Sequence, residues 1–102
     1  MASTKKYKEF ILEQLDKLDE ITCKPMIGEY LLYYKEMLFG GIYDDRLLIK
    51  IVDTNKKYKL PTITPYKGAK GMYLVNDVKN QELLKEIVID SYVGLKNNVS
   101  PD

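Results

Sequence analysis

Asp44-Asp45 is a pair of adjacent carboxylates, of the kind that can share a proton or hold a metal. The pair stands between two apolar runs, where aspartate is favoured for another reason. It tolerates a left-handed backbone and caps its own turn. Turn chemistry is therefore the expectation there. The chain has no histidine, which removes the ordinary general base, the imidazole metal ligand and the nucleophilic triad. Cys23, the single cysteine, has Lys24 beside it but no imidazole to activate it. It reads as a small packing residue, and one thiol per chain fits a reducing cytoplasm. Gly40-Gly41 lies inside an apolar run and not between a strand and a helix, so it makes no phosphate loop. Glycine inside a strand marks a bulge or a close approach of backbone or ring. Gly68-Ala69-Lys70-Gly71 is equally far from a phosphate-loop pattern. No catalytic residue, cofactor or metal ligand is assigned.

A stretch with binding chemistry remains. Residues 50–70 hold Lys50, Lys56, Lys57, Lys59, Lys67 and Lys70 against Asp53 alone, with Tyr58 and Tyr66 interleaved. Lysines with aromatics can follow a nucleic-acid backbone and stack bases, so Lys56, Lys57, Tyr58, Lys59, Tyr66, Lys67 and Lys70 are the candidate contacts. Against this, the chain has fifteen lysines to one arginine, Arg46, and arginine is the usual reader of base edges. Lys plus Arg (16) also nearly balances Asp plus Glu (15), so no global field announces a nucleic acid or a membrane. A solvated loop is the plainer reading.

The elements that must position these residues follow from period and punctuation. Residues 26–51 form three apolar-aromatic runs separated by Lys35-Glu36 and Asp44-Asp45, each the length of a two-residue hairpin loop. This predicts an antiparallel meander. Before it, Tyr7, Phe10, Ile11, Leu15 and Leu18 make one helical stripe over residues 5–19, interrupted by Gln14, with Ser3 or Thr4 as N-cap. Ile21–Lys24 alternates and meets Pro25, as an edge strand does. Residues 53–71, with two prolines and two glycines, read as a long connection holding one helical turn near Thr54–Tyr58. Met72–Val75 is a last strand. Asn80 caps a second helix that carries Leu83, Leu84, Ile87, Val88 and Ser91 and stops at Gly94.

The fold class that results is α+β in two layers: a mainly antiparallel sheet of four or five strands with helices on one face. Leu47, Ile49 and Ile51 are expected to lie under the helices. At 102 residues and 45% apolar content the chain makes one domain, with frayed ends at 1–3 and 96–102. No run approaches the roughly 20 apolar residues of a membrane span, and no signal peptide is evident. Cytoplasmic localisation is the expectation.

Three segments in order carry a family resemblance: Pro25-Met26-Ile27-Gly28-Glu29-Tyr30, Phe39-Gly40-Gly41-Ile42-Tyr43-Asp44-Asp45-Arg46-Leu47-Leu48, and Tyr66-Lys67-Gly68-Ala69-Lys70-Gly71. Together they resemble the N-terminal domain of the TfoX/Sxy bacterial competence regulators, in its stand-alone form, over roughly residues 3–95. The resemblance implies a secretion-chaperone-like α+β fold and no enzyme activity. It also implies transcriptional regulation of DNA uptake through a protein partner, a transcription factor such as the cyclic-AMP receptor protein. Full-length regulators carry a further helical domain suited to nucleic-acid contact. The family has no catalytic residues to carry over.

Regular two-residue hairpins also predict what lies on the outer face of the sheet. Stepping by two along each strand places Tyr30, Leu32, Tyr34, Met37, Phe39, Tyr43, Arg46, Leu48 and Lys50 together. Such a patch exceeds what a monomer usually leaves bare, so a homodimer is expected through it. Two competing outcomes are residues 56–70 folding across that face, and a bulge at Gly40-Gly41 that swaps the faces.

Overall fold

The computed structural model describes residues 3–97. Helix α1 (Lys5–Gln14) is followed by strands β1 (Ile21–Met26), β2 (Glu29–Tyr34), β3 (Met37–Ile42) and β4 (Leu47–Ile49). A 3-10 helix (Asp53–Tyr58), strands β5 (Thr62–Ile63) and β6 (Met72–Leu74) and helix α2 (Gln81–Asn97) complete the chain. The six strands form one open sheet in the order β1-β2-β3-β4-β6-β5, with every neighbouring pair antiparallel. The α+β class holds. The sheet has one strand more than the upper expectation, because the proline-rich connection contributes the two-residue β5.

Local chemistry explains the turns and caps. Lys35 and Glu36 (φ 50° and 68°) and Asp44 and Asp45 (φ 53° and 54°) all take the left-handed conformation that a two-residue hairpin loop requires. Ile27-Gly28 is a third loop of this kind, with Met26 paired to Glu29 across it. Thr4 caps α1 by accepting the Tyr7 N–H at 3.1 Å, and Asn80 caps α2 by accepting the Leu83 N–H at 3.1 Å. α1 ends four residues before the last stripe position, but Leu15 and Leu18 stay buried in the turns that follow. β1 continues through Pro25, which an edge strand permits.

The pairing of β2 with β3 is irregular. Tyr34 faces Met37 and Tyr33 faces Leu38, but Leu32 faces Gly40, so Phe39 is an extra residue between Leu32 and Tyr33. Such a bulge shifts the alternation of everything beyond it. Phe39 and Gly40 both fall on the helix side, and Phe39 is fully buried there. Gly40 tolerates no side chain: a Cβ would come within 2.1 Å of the Leu48 carbonyl oxygen.

Two cores result. The main one, under the helices, joins Ile11, Leu15, Leu18, Leu32, Tyr34, Phe39, Ile42, Leu47, Ile49 and Val75 with Leu84, Ile87 and Val88 of α2. Tyr34 meets Tyr92 edge to face, with ring centroids 5.2 Å apart. A small one on the outer face consists of Tyr43, Leu48 and Met72, flanked by Met26, Leu31, Ile63 and Leu74. Leu47 and Ile49 lie under the helices as expected, but Ile51 is 37% exposed because β4 ends before it.

α2 also runs past Gly94 to Asn97. Gly94 does not terminate it but is a contact point, where a Cβ would meet Thr54 Oγ1 at 2.2 Å and Val52 Cγ2 at 2.8 Å. Ser3 is buried, and Lys96 and Asn97 are helical. Residues 1–2 and 98–102 lie outside the described residues.

Substituting Ile49 by Asp puts an unpaired charge in the main core, at a cost of several kcal/mol out of about 5–15 for a domain. Thermal melting should show no cooperative transition for Ile49→Asp. Gly40→Ala should lose about 1–3 kcal/mol or more through the carbonyl clash. Unchanged midpoints would contradict this register.

Candidate functional site

The outer face of the sheet ends in a cleft of about 490 Å³. Its floor begins at Tyr43, whose ring lies flat along β3 because Gly41 has no side chain. A Cβ at Gly41 would stand 2.8 Å from the Tyr43 ring. Met72, at the start of β6, is packed beside Tyr43 in the small core. The loop between β5 and β6 forms the opposite wall through Pro65, Tyr66, Ala69 and Lys70. Lys50 and Ile51, just past β4, and Leu95, near the end of α2, close the remaining side.

This cleft unites residues from both candidate groups. Tyr43 and Lys50 belonged to the expected protein interface, Tyr66 and Lys70 to the expected nucleic-acid contacts. Burial first, and then neighbouring Tyr66 and Glu29, raise the Tyr43 phenol above its ordinary value. Ile51, Met72 and Leu95 line the cleft but were read as core or left unassigned. Their meeting depends on how the end of β4, the start of β6 and the last turns of α2 come together, which no local pattern reveals.

The other predicted residues do not gather. Because of the bulge, Tyr30, Leu32, Tyr34 and Phe39 turn toward the helices, and Met37 is opposite Tyr34. Leu48 is fully buried in the small core, and the Arg46 guanidinium donates through Nε to the Tyr43 carbonyl at 3.2 Å. The contiguous patch of nine residues is therefore not formed. Its physical reason is the one extra residue in β3, and the homodimer loses the surface on which it was argued. Residues 56–70 divide instead: Tyr58 and Leu60 pack against the main core, while Ile63 joins the outer one.

The basic stretch divides with them. Lys56 pairs with Asp53 at 3.1 Å and Lys57 with Asp90 at 3.0 Å. The Tyr58 hydroxyl donates to the same Asp90 carboxylate. Buried Asn55 donates to the Lys50 carbonyl at 2.8 Å and to Ser91 Oγ at 2.9 Å, and its Oδ1 accepts the Val52 N–H at 3.1 Å. The contacts of Lys57 and Tyr58 with Asp90 and of Asn55 with Ser91 lash the 3-10 helix to α2, while Lys56 pairs within the 3-10 helix itself. Lys59 and Lys67 are exposed. Cys23 packs at the edge of the main core, where burial pushes its thiol up against the opposing influence of Lys8.

A second feature, invisible to the sequence reading, is the tip of the β1–β2 hairpin. Ile27 is 100% exposed and held at φ 36°. The loop bearing it is firmly braced. Gly28 accepts the Ser3 N–H at 2.8 Å, and Glu29 Oε1 accepts from Ser3 N at 3.0 Å, Ser3 Oγ at 2.6 Å and Asp44 N at 3.1 Å. Asp45 Oδ1 in turn accepts from Thr4 N at 2.8 Å. The Asp44-Asp45 pair thus makes the turn expected of it and in addition braces Ser3 and Thr4.

The model of the TfoX N-terminal domain matches residues 13–93. This chain belongs to that family. A protein of Spirochaeta aurantia, described as an uncharacterized 12.7 kDa protein in the trpE 5' region, is similar to it: 34% identical over 80 residues, covering 76% of this chain and 70% of that protein. In this TfoX N-terminal domain, the matched span contains the bulge, the Ile27 hairpin and all of the cleft except Leu95. Among the described residues, no helix is long and apolar enough to cross a membrane.

Tyr58 supplies a pH test. Burial, the hydrogen bond to Asp90 and the charges of Asp90 and Glu86 all raise its phenol far above the ordinary value. A group with a raised folded pKa stabilises below its unfolded pKa and loses that contribution as pH climbs. Stability should therefore fall from about pH 10 upward, with Tyr7 and Tyr43, also raised, adding to the loss. Tyr58→Phe should cost about 1–2 kcal/mol at neutral pH and make the alkaline decline shallower, as read from urea melts across pH 8–11.

Proposed function

We propose that this TfoX N-terminal domain is a non-enzymatic regulatory module that works by docking to a protein partner, with Ile27 at the centre of the contact. The observation that carries this reading is the conformation of that residue. An isoleucine at positive φ is a backbone outlier, since β-branched side chains crowd the left-handed region at roughly 1–2 kcal/mol. The same side chain is wholly in water. Hairpin loops of this kind favour asparagine before glycine, so both the backbone and the solvent disfavour isoleucine here. Residues that break local rules without a local gain mark functional surfaces, and the Ser3–Glu29–Asp45 bracing holds this one in place. An exposed apolar anchor on a rigid loop suits burial in a partner's pocket. The resemblance to competence regulators supports a partner in transcription.

Ile27→Asn should raise the melting midpoint, by about 4–8 °C per kcal/mol of relieved strain for a domain near this size. It should also reduce capture of the partner from a cell extract by roughly tenfold or more. Unchanged capture with a raised midpoint would refute the docking role while upholding the strain. Nucleic-acid binding through the lysines is the rival class. It requires affinity for duplex DNA to fall with a log–log salt slope of about −0.9 per phosphate contact. With Lys56 and Lys57 engaged in ion pairs, we expect no such steep dependence.

A further inference from the structure

We infer that the outer-face cleft is a binding site for a small amphiphilic anion, an aromatic or apolar body bearing one carboxylate or phosphate group. This inference is independent of the docking role of Ile27. The volume, about 490 Å³, falls within the range of about 300–1,000 Å³ typical of small-molecule sites. The walls are apolar and partly wet: Tyr66 is 61% exposed and Ile51 37% exposed, while Met72 and Tyr43 lie buried at the base. A flat apolar ligand would cover this surface and gain the energy of its removal from water.

The charged residues of the cleft are both cationic. Lys50 and Lys70 both line the cleft, and no carboxylate residue lines it. Among the described residues neither lysine forms an ion pair; the lysines that do are Lys17, Lys56 and Lys57. Tyr43, whose phenol is neutral at ordinary pH as in any tyrosine, adds a hydroxyl that can donate. Two cations and a donor beside exposed aromatic surface match a negative head on an apolar body. A neutral ligand would leave the cations without a partner. A bare inorganic anion would leave Tyr66 and Ile51 in water.

The site is also preformed. Gly41 and Gly71 let the backbone and rings approach closely: a Cβ at Gly71 would meet Thr62 Cγ2 at 3.0 Å. Lys50 is anchored at its backbone, where its N–H donates to the Phe39 carbonyl at 2.8 Å and its carbonyl accepts from Asn55. Binding therefore requires ordering of the lysine side chains and little more.

The test is a two-dimensional NMR titration of the full chain with phenyl phosphate, benzoate, phenol and inorganic phosphate. Phenyl phosphate or benzoate should shift the amides of Ile51, Tyr66 and Gly71 saturably, and bind roughly tenfold tighter than phenol or inorganic phosphate. Whichever aryl anion binds more tightly identifies the head group. The double variant Lys50→Gln/Lys70→Gln should keep its melting midpoint and bind the aryl anions no better than phenol. The inference is overturned if phenol matches the anions, if the double variant binds them unchanged, or if the shifts are unsaturable or lie outside the cleft.

Discussion

Phe39 is one residue too many for a regular pairing of β3 with β2, and the rest of the molecule is arranged around that excess. With the register advanced by one, Phe39, Ile42, Leu47 and Ile49 all meet α1 and α2, and the helix-side core closes. The opposite phase then carries Leu31, Gly41, Tyr43 and Leu48 to the outer face, enough for only a small second core. Without the bulge Tyr30, Tyr34 and Phe39 would join Tyr43 on the outer face, and the helix-side core would lose them. Gly40 is the residue that makes the bulge affordable, because the Leu48 carbonyl occupies the space of its missing side chain.

Much of this fold was legible from local chemistry. Two polar dyads between apolar runs mark the hairpin loops at 35–36 and 44–45, and Thr4 and Asn80 mark the helix starts, because turns and caps depend on a few neighbouring residues. A bulge beside Gly40-Gly41 was one of two open alternatives to the regular register, and local chemistry did not decide between them. Leu38, Phe39, Gly40 and Gly41 present no polar residue whose burial would forbid one register over the other, so alternation alone left the faces open. The glycine pair announced a close approach without saying which strand it served. The lashing of the 3-10 helix to α2 by Asn55, Ser91 and Asp90 joins residues more than thirty positions apart, beyond any local signal. Gly94 misled for the same reason, since its role is set by Val52 and Thr54 packed against it.

The candidate sites follow from these placements. The lysine-rich connection looked like one basic strip, but its first half is tied down against α2 and its second half arches over the outer face. Lys50, Tyr66 and Lys70 meet Tyr43 on the outer face, while the bulge turns Tyr30, Tyr34 and Phe39 away from it toward the helices. The Ile27 tip depends on the same end of the sheet. The chain's beginning is threaded between the first hairpin loop and the Asp44-Asp45 turn, so that a polar knot of Ser3, Glu29 and Asp45 holds the apolar tip in water.

Cross-strand nuclear Overhauser effects between β2 and β3 test that register most directly. The bulged pairing predicts contacts linking Leu32 with Gly40 and Leu31 with Gly41. Contacts linking Leu32 with Phe39 and Leu31 with Gly40 would show a regular hairpin, return the aromatic patch to the outer face, and contradict the account.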